Sequence, residues 1–408
     1  MRSNPGLIVA LLAMLMGGNA RAADDDIWRR STLLDSPGGP KEQLAAKGVD
    51  LGIDVTQFMQ ALRTSGSGVA NGGIFDLRVR LDGQKLGTWP GFSVSSHIEY
   101  NYGSSVNQDA PGLNVIPVNT SLAYPSLRPT MFSLVFAQAI GPTTTVSLGL
   151  FNMFDNAARR PLVGGAGIDT FWNLAVAAPL TNITPPYIYG ITLNTRTDVG
   201  SFGLFIYDPR DAQDLNILST LFQEGVTYSA TVSFPVSVGG LGGFQNFRAA
   251  YSTLDGVDLS LLPPAVGQPP QYKSDRWYLQ YSFEQFLVQD PNDAKVGWGL
   301  FGQLGYSDGN PNAFQGHGYV GVAGNNMLAG HQVDRWGIAY YSYKLSNAFH
   351  NALPGAGSRI KPQNGAEVFY DWAATPWLRL SLDGQWVRPF NGVDNNYYLG
   401  MRAQFKLF

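Results

Sequence analysis

The sequence has no cysteine, which excludes a disulfide framework, a thiolate metal site and a cysteine nucleophile. Charge is scarce. Asp, Glu, Lys and Arg make up 14% of 408 residues, against about 25% in ordinary soluble domains. A packed soluble domain of this length needs more charge to cover its surface. Basic charge is not in excess either: the formal net charge is -3, so the electrostatic footprint of a nucleic-acid partner is missing. Beyond the N-terminal stretch, no segment offers the roughly 18 consecutive apolar residues of a membrane helix. Mean hydropathy is -0.07, too low for a bundle of such helices. What is abundant is glycine (48), with 19 Tyr, 23 Phe and 9 Trp.

The N-terminal stretch reads as a secretory signal peptide. Arg2 gives a positive start, Leu7 to Met16 an apolar run, and Ala20-Arg21-Ala22 an A-x-A cleavage site. The run is too short to span a bilayer as a helix. The expected organisation is a leader over 1–22, an N-terminal periplasmic segment over 23–50, and a barrel domain over 51–408.

Period two dominates the rest. From Phe75 to Asp82 the odd positions are apolar and the even ones charged. Val226–Phe234, Leu378–Trp386 and Tyr397–Leu407 alternate in the same way. Successive strand side chains point to opposite faces, so each segment has one oily and one wet face. About sixteen such segments start near 51, 73, 91, 130, 143, 188, 199, 224, 243, 275, 295, 317, 334, 363, 377 and 396, the one near 317 with the weakest pattern. Most run about ten residues, the length of a tilted membrane strand. Short links such as Gly141-Pro142 and Thr375-Pro376 alternate with long ones at 102–129, 154–187, 254–274 and 346–362. Short turns on one side and long loops on the other describe an all-β, transmembrane antiparallel β-barrel.

Aromatic placement agrees. Trp89, Tyr100, Trp277, Trp298, Tyr306, Trp336, Trp377 and Tyr397 sit near strand ends, where amphipathic rings meet the membrane interface. A soluble sandwich would have shorter strands and a more charged outer face. One helix is expected, Pro40–Gly48, with Pro at its start and Gly at its end. Its place is the periplasmic side or the barrel mouth.

Several motifs resemble the carbohydrate-selective porins of the OprB type. They run in order: Leu44-Ala45-Ala46-Lys47-Gly48-Val49-Asp50-Leu51-Gly52, Trp89-Pro90-Gly91, Asp155 to Arg160 followed by Pro161, and Trp172-Asn173-Leu174-Ala175. Tyr207-Asp208-Pro209-Arg210-Asp211 and Tyr306 to Asn312 continue the series. Gly365 to Tyr370, Thr375 to Leu380 and Asp383 to Val387 close it. Each is weak alone; their collinearity over nearly the whole chain makes the resemblance specific. It implies a sixteen-stranded outer-membrane barrel that passes sugars by diffusion. Two features depart from the family pattern. Asp35-Ser36-Pro37-Gly38-Gly39-Pro40 stands where an Asp-Trp-Gly-Gly run is usual. Leu407, not Phe408, is in phase with the lipid face, so the Phe408 side chain points the other way or the end is frayed.

A channel of this kind needs no catalyst and no cofactor. It needs polar groups that replace water on a sugar, without a single tight site. The polar-phase positions supply candidates: Asp76, Arg78, Arg80 and Asp82 on the second strand, His97 and Glu99 on the third, and Glu367, Asp371, Arg379, Asp383 and Arg402 on the last three. Asp155, Arg159 and Arg160 lie where a loop could fold into the pore. Guanidinium forks donate to vicinal hydroxyls and carboxylates accept from them. The expected pore lining is Asp76, Arg78, Arg80, His97, Glu99, Asp155, Arg159, Arg160, Glu367 and Arg379. Of these, Arg78, Arg80, Glu99, Arg159, Arg160, Glu367 and Arg379 are expected at the constriction. Tyr341 and Tyr343 are in the same phase and either stack on sugars or pack on the inner wall.

Enzyme motifs are poor. Gly305-Tyr306-Ser307-Asp308-Gly309 matches G-x-S-x-G but is followed by Asn310-Pro311-Asn312 rather than a helix. His97, His317, His331 and His350 show no metal-ligand spacing. The expected partners are small carbohydrates, outer-membrane lipid and lipopolysaccharide, and the barrel-assembly machinery, with no nucleic acid. A general porin and a secreted polysaccharide-binding β-protein are the alternatives.

Overall fold

The alternating segments become strands because each pleat presents an oily face outward and a polar face inward. The structure, a computed structural model, describes residues 26–63, 68–108, 114–123, 130–165, 167–212, 215–264, 266–328, 330–352, 360–391 and 394–408. The expected leader over 1–22 lies outside them.

Eighteen strands are numbered in chain order. The first half holds β1 (Val49–Leu62), β2 (Val69–Asp82), β3 (Phe92–Gly103), β4 (Thr130–Ile140), β5 (Thr144–Asn152), β6 (Tyr187–Thr197), β7 (Gly200–Tyr207), β8 (Thr227–Val238) and β9 (Leu241–Ser252). The second holds β10 (Gly256–Val257), β11 (Tyr272–Lys273), β12 (Arg276–Gln289), β13 (Gly297–Ser307), β14 (Phe314–Asn325) and β15 (Arg335–Leu345). It ends with β16 (Gln363–Thr375), β17 (Leu378–Arg388) and β18 (Asn396–Lys406). β10 and β11 form a two-residue hairpin in a long loop, which the sequence pattern does not announce. The other strands form one closed antiparallel barrel of sixteen, each paired with its chain neighbour. The weakly patterned segment near 317 is β14, a full strand. Closure is made by β1 on β18, from Asp54 opposite Lys406 to Leu62 opposite Tyr398.

Burial is inverted relative to a soluble protein. Val320, Ile338, Val368 and Leu399 are each more than half exposed, while Thr56, Glu284, Asp371 and Gln385 are buried on the opposite face of their strands. An apolar outer band with a polar interior is what lipid outside and water inside require. Aromatic pairs mark both rims. Trp298 and Trp336, 6.0 Å apart, sit at the short-turn rim, and Trp277 and Tyr306, 5.8 Å apart, at the long-loop rim.

The expected helix forms as α1 (Pro40–Ala46), with Pro at its first turn. It sits at the short-turn rim, against β1. The preceding segment continues the barrel pairing, with Leu33 and Leu34 N–H donating to Lys406 and Leu407 carbonyls at 2.9 Å. The Phe408 side chain turns inward: it is buried, and the Lys41 ammonium lies 5.9 Å from its ring centre. Of the two expected outcomes for this residue, the reversed side chain is the one found.

One long-rim loop is tied at Asp208. Asp208 accepts from Arg210 Nη2 and from Phe222 N–H, both at 2.7 Å. Burial raises its pKa, but the Arg210 guanidinium and the Phe222 and Arg210 N–H groups outweigh that and hold it below 3.8. A depressed carboxylate stabilises the fold above its unfolded pKa and loses that contribution as pH falls through the folded value. Pepsin is therefore expected to cut within 208–226 much faster at about pH 2.5 than at about pH 4.5, after correction for pepsin's own activity. Equal corrected rates would contradict the tie. On the lipid face, Val320→Arg is expected to cost about 2–4 kcal/mol of folding stability in vesicles. No loss by urea titration would mean that this face does not meet lipid.

Candidate permeation site

The barrel interior is divided by two loops that fold inward from the long-loop rim. The main one, 153–186, starts as α2 (Met153–Ala157), capped by the Asn152 side chain, which accepts from Phe154 N–H at 2.9 Å. Its tip, Phe171 and α3 (Leu174–Ala177), is fully buried against Phe301, Tyr341 and Phe369 on the wall. The β3–β4 loop joins it, with Thr120 N–H donating to the Trp172 carbonyl at 2.7 Å. Glycines in the wall make room for the tip. A Cβ at Gly337 would lie 2.6 Å from the Phe171 ring, and one at Gly400 2.5 Å from the Trp172 ring.

Buried wall charges hold this loop. Glu284 accepts from Leu162 N–H at 2.8 Å and from Arg160 Nε at 3.0 Å. Glu367 accepts from the N–H groups of Trp172 and Asn173, the latter at 3.1 Å. Arg402 donates to the Gly167 carbonyl at 2.7 Å and lies 5.1 Å from the Trp172 ring. Arg335 donates to the Pro161 carbonyl at 3.0 Å. Loop carbonyls and N–H groups taken out of water need such partners.

What the loops leave open is a cavity of about 640 Å³ against β1–β4. Seven expected residues converge on it: Asp76, Arg78, Arg80, His97, Glu99, Asp155 and Arg159. Strand register brings them together, since Asp76 pairs with Glu99, Arg78 with His97, and Asp54 with Asp76. Arg78 donates to Asp54 at 2.7 Å and lies 3.5 Å from Asp76. His97 faces two carboxylates at 2.8 Å, Asp76 through Nε2 and Asp155 through Nδ1. Glu99 accepts from Tyr187 and from Asn152, the latter at 2.8 Å. Arg80 and Arg159 are exposed to the cavity.

Three expected constriction residues lie elsewhere. Arg160 and Glu367 clamp the loop on the other side of the lumen. Arg379 pairs with buried Asp371 and donates to the Val333 carbonyl at 3.1 Å, tying a short turn. Asp82 caps the β2–β3 turn by accepting from Lys85 N–H at 3.1 Å. Asp371 meanwhile pairs with Arg402 at 3.2 Å. Tyr341 and Tyr343 are fully buried and pack on the inner wall and loop; Tyr343 stacks on His317 at 4.8 Å. Sequence reading missed Asp50, Asp169 and Gln404, which also line the cavity. Asp50 and Gln404 share the inward phase of their strands, a signal that was there; Asp169 sits in an aperiodic loop and had none. Ser307 of the G-x-S-x-G match ends β13, donates to the Phe314 carbonyl at 2.7 Å and leads into no helix.

A closed barrel, oily outside and polar inside, narrowed by in-folded loops, is the architecture of a bacterial outer-membrane porin. The model of the carbohydrate-selective porin, OprB family, matches residues 67–407, and the chain belongs to that family. It is therefore an outer-membrane channel for sugars. No curated protein matches it in sequence. Among solved structures, Pseudomonas putida OprB at high pH is similar with a TM-score of 0.76 and 17% identity, over 90% of this chain and 96% of that one. The low-pH structure of the same protein gives 0.56 and 14%, over 93% and 99%. At these identities the likeness bears on the fold.

The clamps generate a prediction. Glu284→Ala with Glu367→Ala leaves buried loop donors unpaired, an effect of about 3–5 kcal/mol where a buried charge loses its partner. Single-channel conductance is expected to rise and discrimination between small and large sugars to fall. Unchanged conductance from folded double variant would show that the clamps do not set the aperture.

Proposed function

We propose that small, neutral sugars cross through the cavity between β1–β4 and the in-folded loop, and that they are favoured there over ions. The lining that carries this reading is Asp76, Arg78, Arg80, His97, Glu99, Asp155 and Arg159. The supporting observation is the mixed sign of that cavity. Guanidinium and carboxylate groups alternate around it, so a hydroxyl-rich solute finds donors and acceptors together. A single-sign ring would instead select ions. Arg78 is partly exposed and held by Asp54 and Asp76, which fixes its planar fork toward passing hydroxyls. Neutral mixed sites of this kind hold a sugar weakly, as throughput requires.

In this reading the leader over 1–22 directs export, and barrel-assembly machinery receives the chain. Bilayer lipid and lipopolysaccharide flank the exposed apolar band. No step calls for a cofactor or for bond-making chemistry.

Liposome swelling tests it. Purified, refolded protein is compared with glucose, a disaccharide, an amino acid matched in size to glucose, and a salt. Faster swelling with glucose than with the matched amino acid is the expected outcome. Rates ordered by size alone would replace the reading with a general pore. No swelling from inserted protein would leave a plugged barrel.

A further inference from the structure

Four carboxylates gather around His97 and Arg78. Asp76, His97 and Glu99 are all buried. Asp155, from α2, faces His97, and Asp54, from β1, shares Arg78 with Asp76. Among the described residues, Arg78 is the one cation besides His97 that is ion-paired with these four carboxylates. Buried charge is costly unless paired or bound to a cation.

The geometry also leaves ligand atoms unused. Asp76 Oδ2 is buried with no hydrogen-bond partner. Both side-chain donors to Glu99, Asn152 and Tyr187, reach Oε2, so Oε1 is left to another ligand. One atom each from Asp76, His97 and Glu99 lies within 4.8 Å of the others. His97 Nδ1 is already held by Asp155 at 2.8 Å, the outer carboxylate that commonly orients a metal-bound imidazole.

We propose that Asp76, His97 and Glu99 bind a divalent transition cation of the zinc class, with Asp155 as the positioning residue for the imidazole. An imidazole ligand favours zinc-like ions over calcium or magnesium, which take oxygen donors. Bonds of about 2.1 Å in a tetrahedron set ligand atoms about 3.4 Å apart. A cation on His97 Nε2 and the unpartnered Asp76 Oδ2 displaces the proton that now bridges Nε2 and Asp76 Oδ1 at 2.8 Å. That proton leaves to solvent. Arg78 retains Asp54, its nearer partner. The fourth position opens on the lumen cavity that all three residues line, and water fills it. The site stands whichever solute the pore prefers.

Zinc retention tests it. Refolded protein, its fold checked by heat-modifiable gel migration, is loaded with zinc chloride at about pH 7.5, freed of excess by gel filtration and assayed by mass spectrometry of the metal. About one zinc per chain is expected. Asp76→Asn with His97→Gln is expected to lose at least about tenfold of it, and Asp155→Asn to weaken zinc binding about 10–100-fold. His331→Gln, which removes an exposed imidazole paired with buried Asp334 at a rim turn, is expected to retain it. Cobalt loading should give the intense visible bands of a four-coordinate site. Little zinc in the folded wild type, or equal zinc in the double variant, would overturn the proposal.

Discussion

Everything in this structure depends on the pairing of the first barrel strand with the last. In hydrocarbon no water is available for an open strand edge, so a membrane sheet is viable only when closed. β1 and β18 meet over nine residue pairs, from Asp54–Lys406 to Leu62–Tyr398. Closure fixes which face of every strand meets lipid. It thereby turns a two-residue sequence period into an inside and an outside, and gives the scarce charges one place to go. The N-terminal segment reinforces the same seam, since Leu33 and Leu34 bond to the end of β18.

Closure alone would leave a wide lumen. The in-folded loop narrows it asymmetrically. Its apolar tip packs into the wall of β13–β16 and β18, where Gly337 on β15 and Gly400 on β18 allow ring-to-backbone approach, while Glu284, Glu367, Arg335 and Arg402 satisfy its polar backbone. The opposite wall, β1–β4, stays open and carries the charged cavity. Buried charge thus does two separate jobs: one set holds the loop, and the other lines the cavity.

The barrel was legible because its signal is local and repeated. Every strand of the barrel starts within four residues of its expected start. The weak segment near 317 alternates poorly because Gly316, Gly318, Gly321 and Gly324 dilute it, yet neighbours on both sides pair it into place. The β10–β11 hairpin had no period to read. For the site, phase identified the inward face but not the side of the lumen. Arg78 and His97 reach the cavity because β2 and β3 bound it. Glu367 and Arg379 have the same phase on strands that the loop covers or that end at a turn. That distinction depends on contacts some two hundred residues apart, such as Glu367 with Trp172 and Asn173, and no local pattern encodes them. Asp155 and Arg159 were found through their loop motif, and Arg160 in the same motif turns away to Glu284.

The proposed route runs along the β1–β4 side of the in-folded loop. The absence of native cysteine permits a clean test by thiol modification of single channels. A bulky charged thiol reagent is applied to Arg80→Cys, in the cavity, and to Arg379→Cys, outside it. The account predicts an irreversible drop in single-channel current for Arg80→Cys and none for Arg379→Cys. Unchanged current at Arg80→Cys with labelling verified, or block at Arg379→Cys alone, would contradict it.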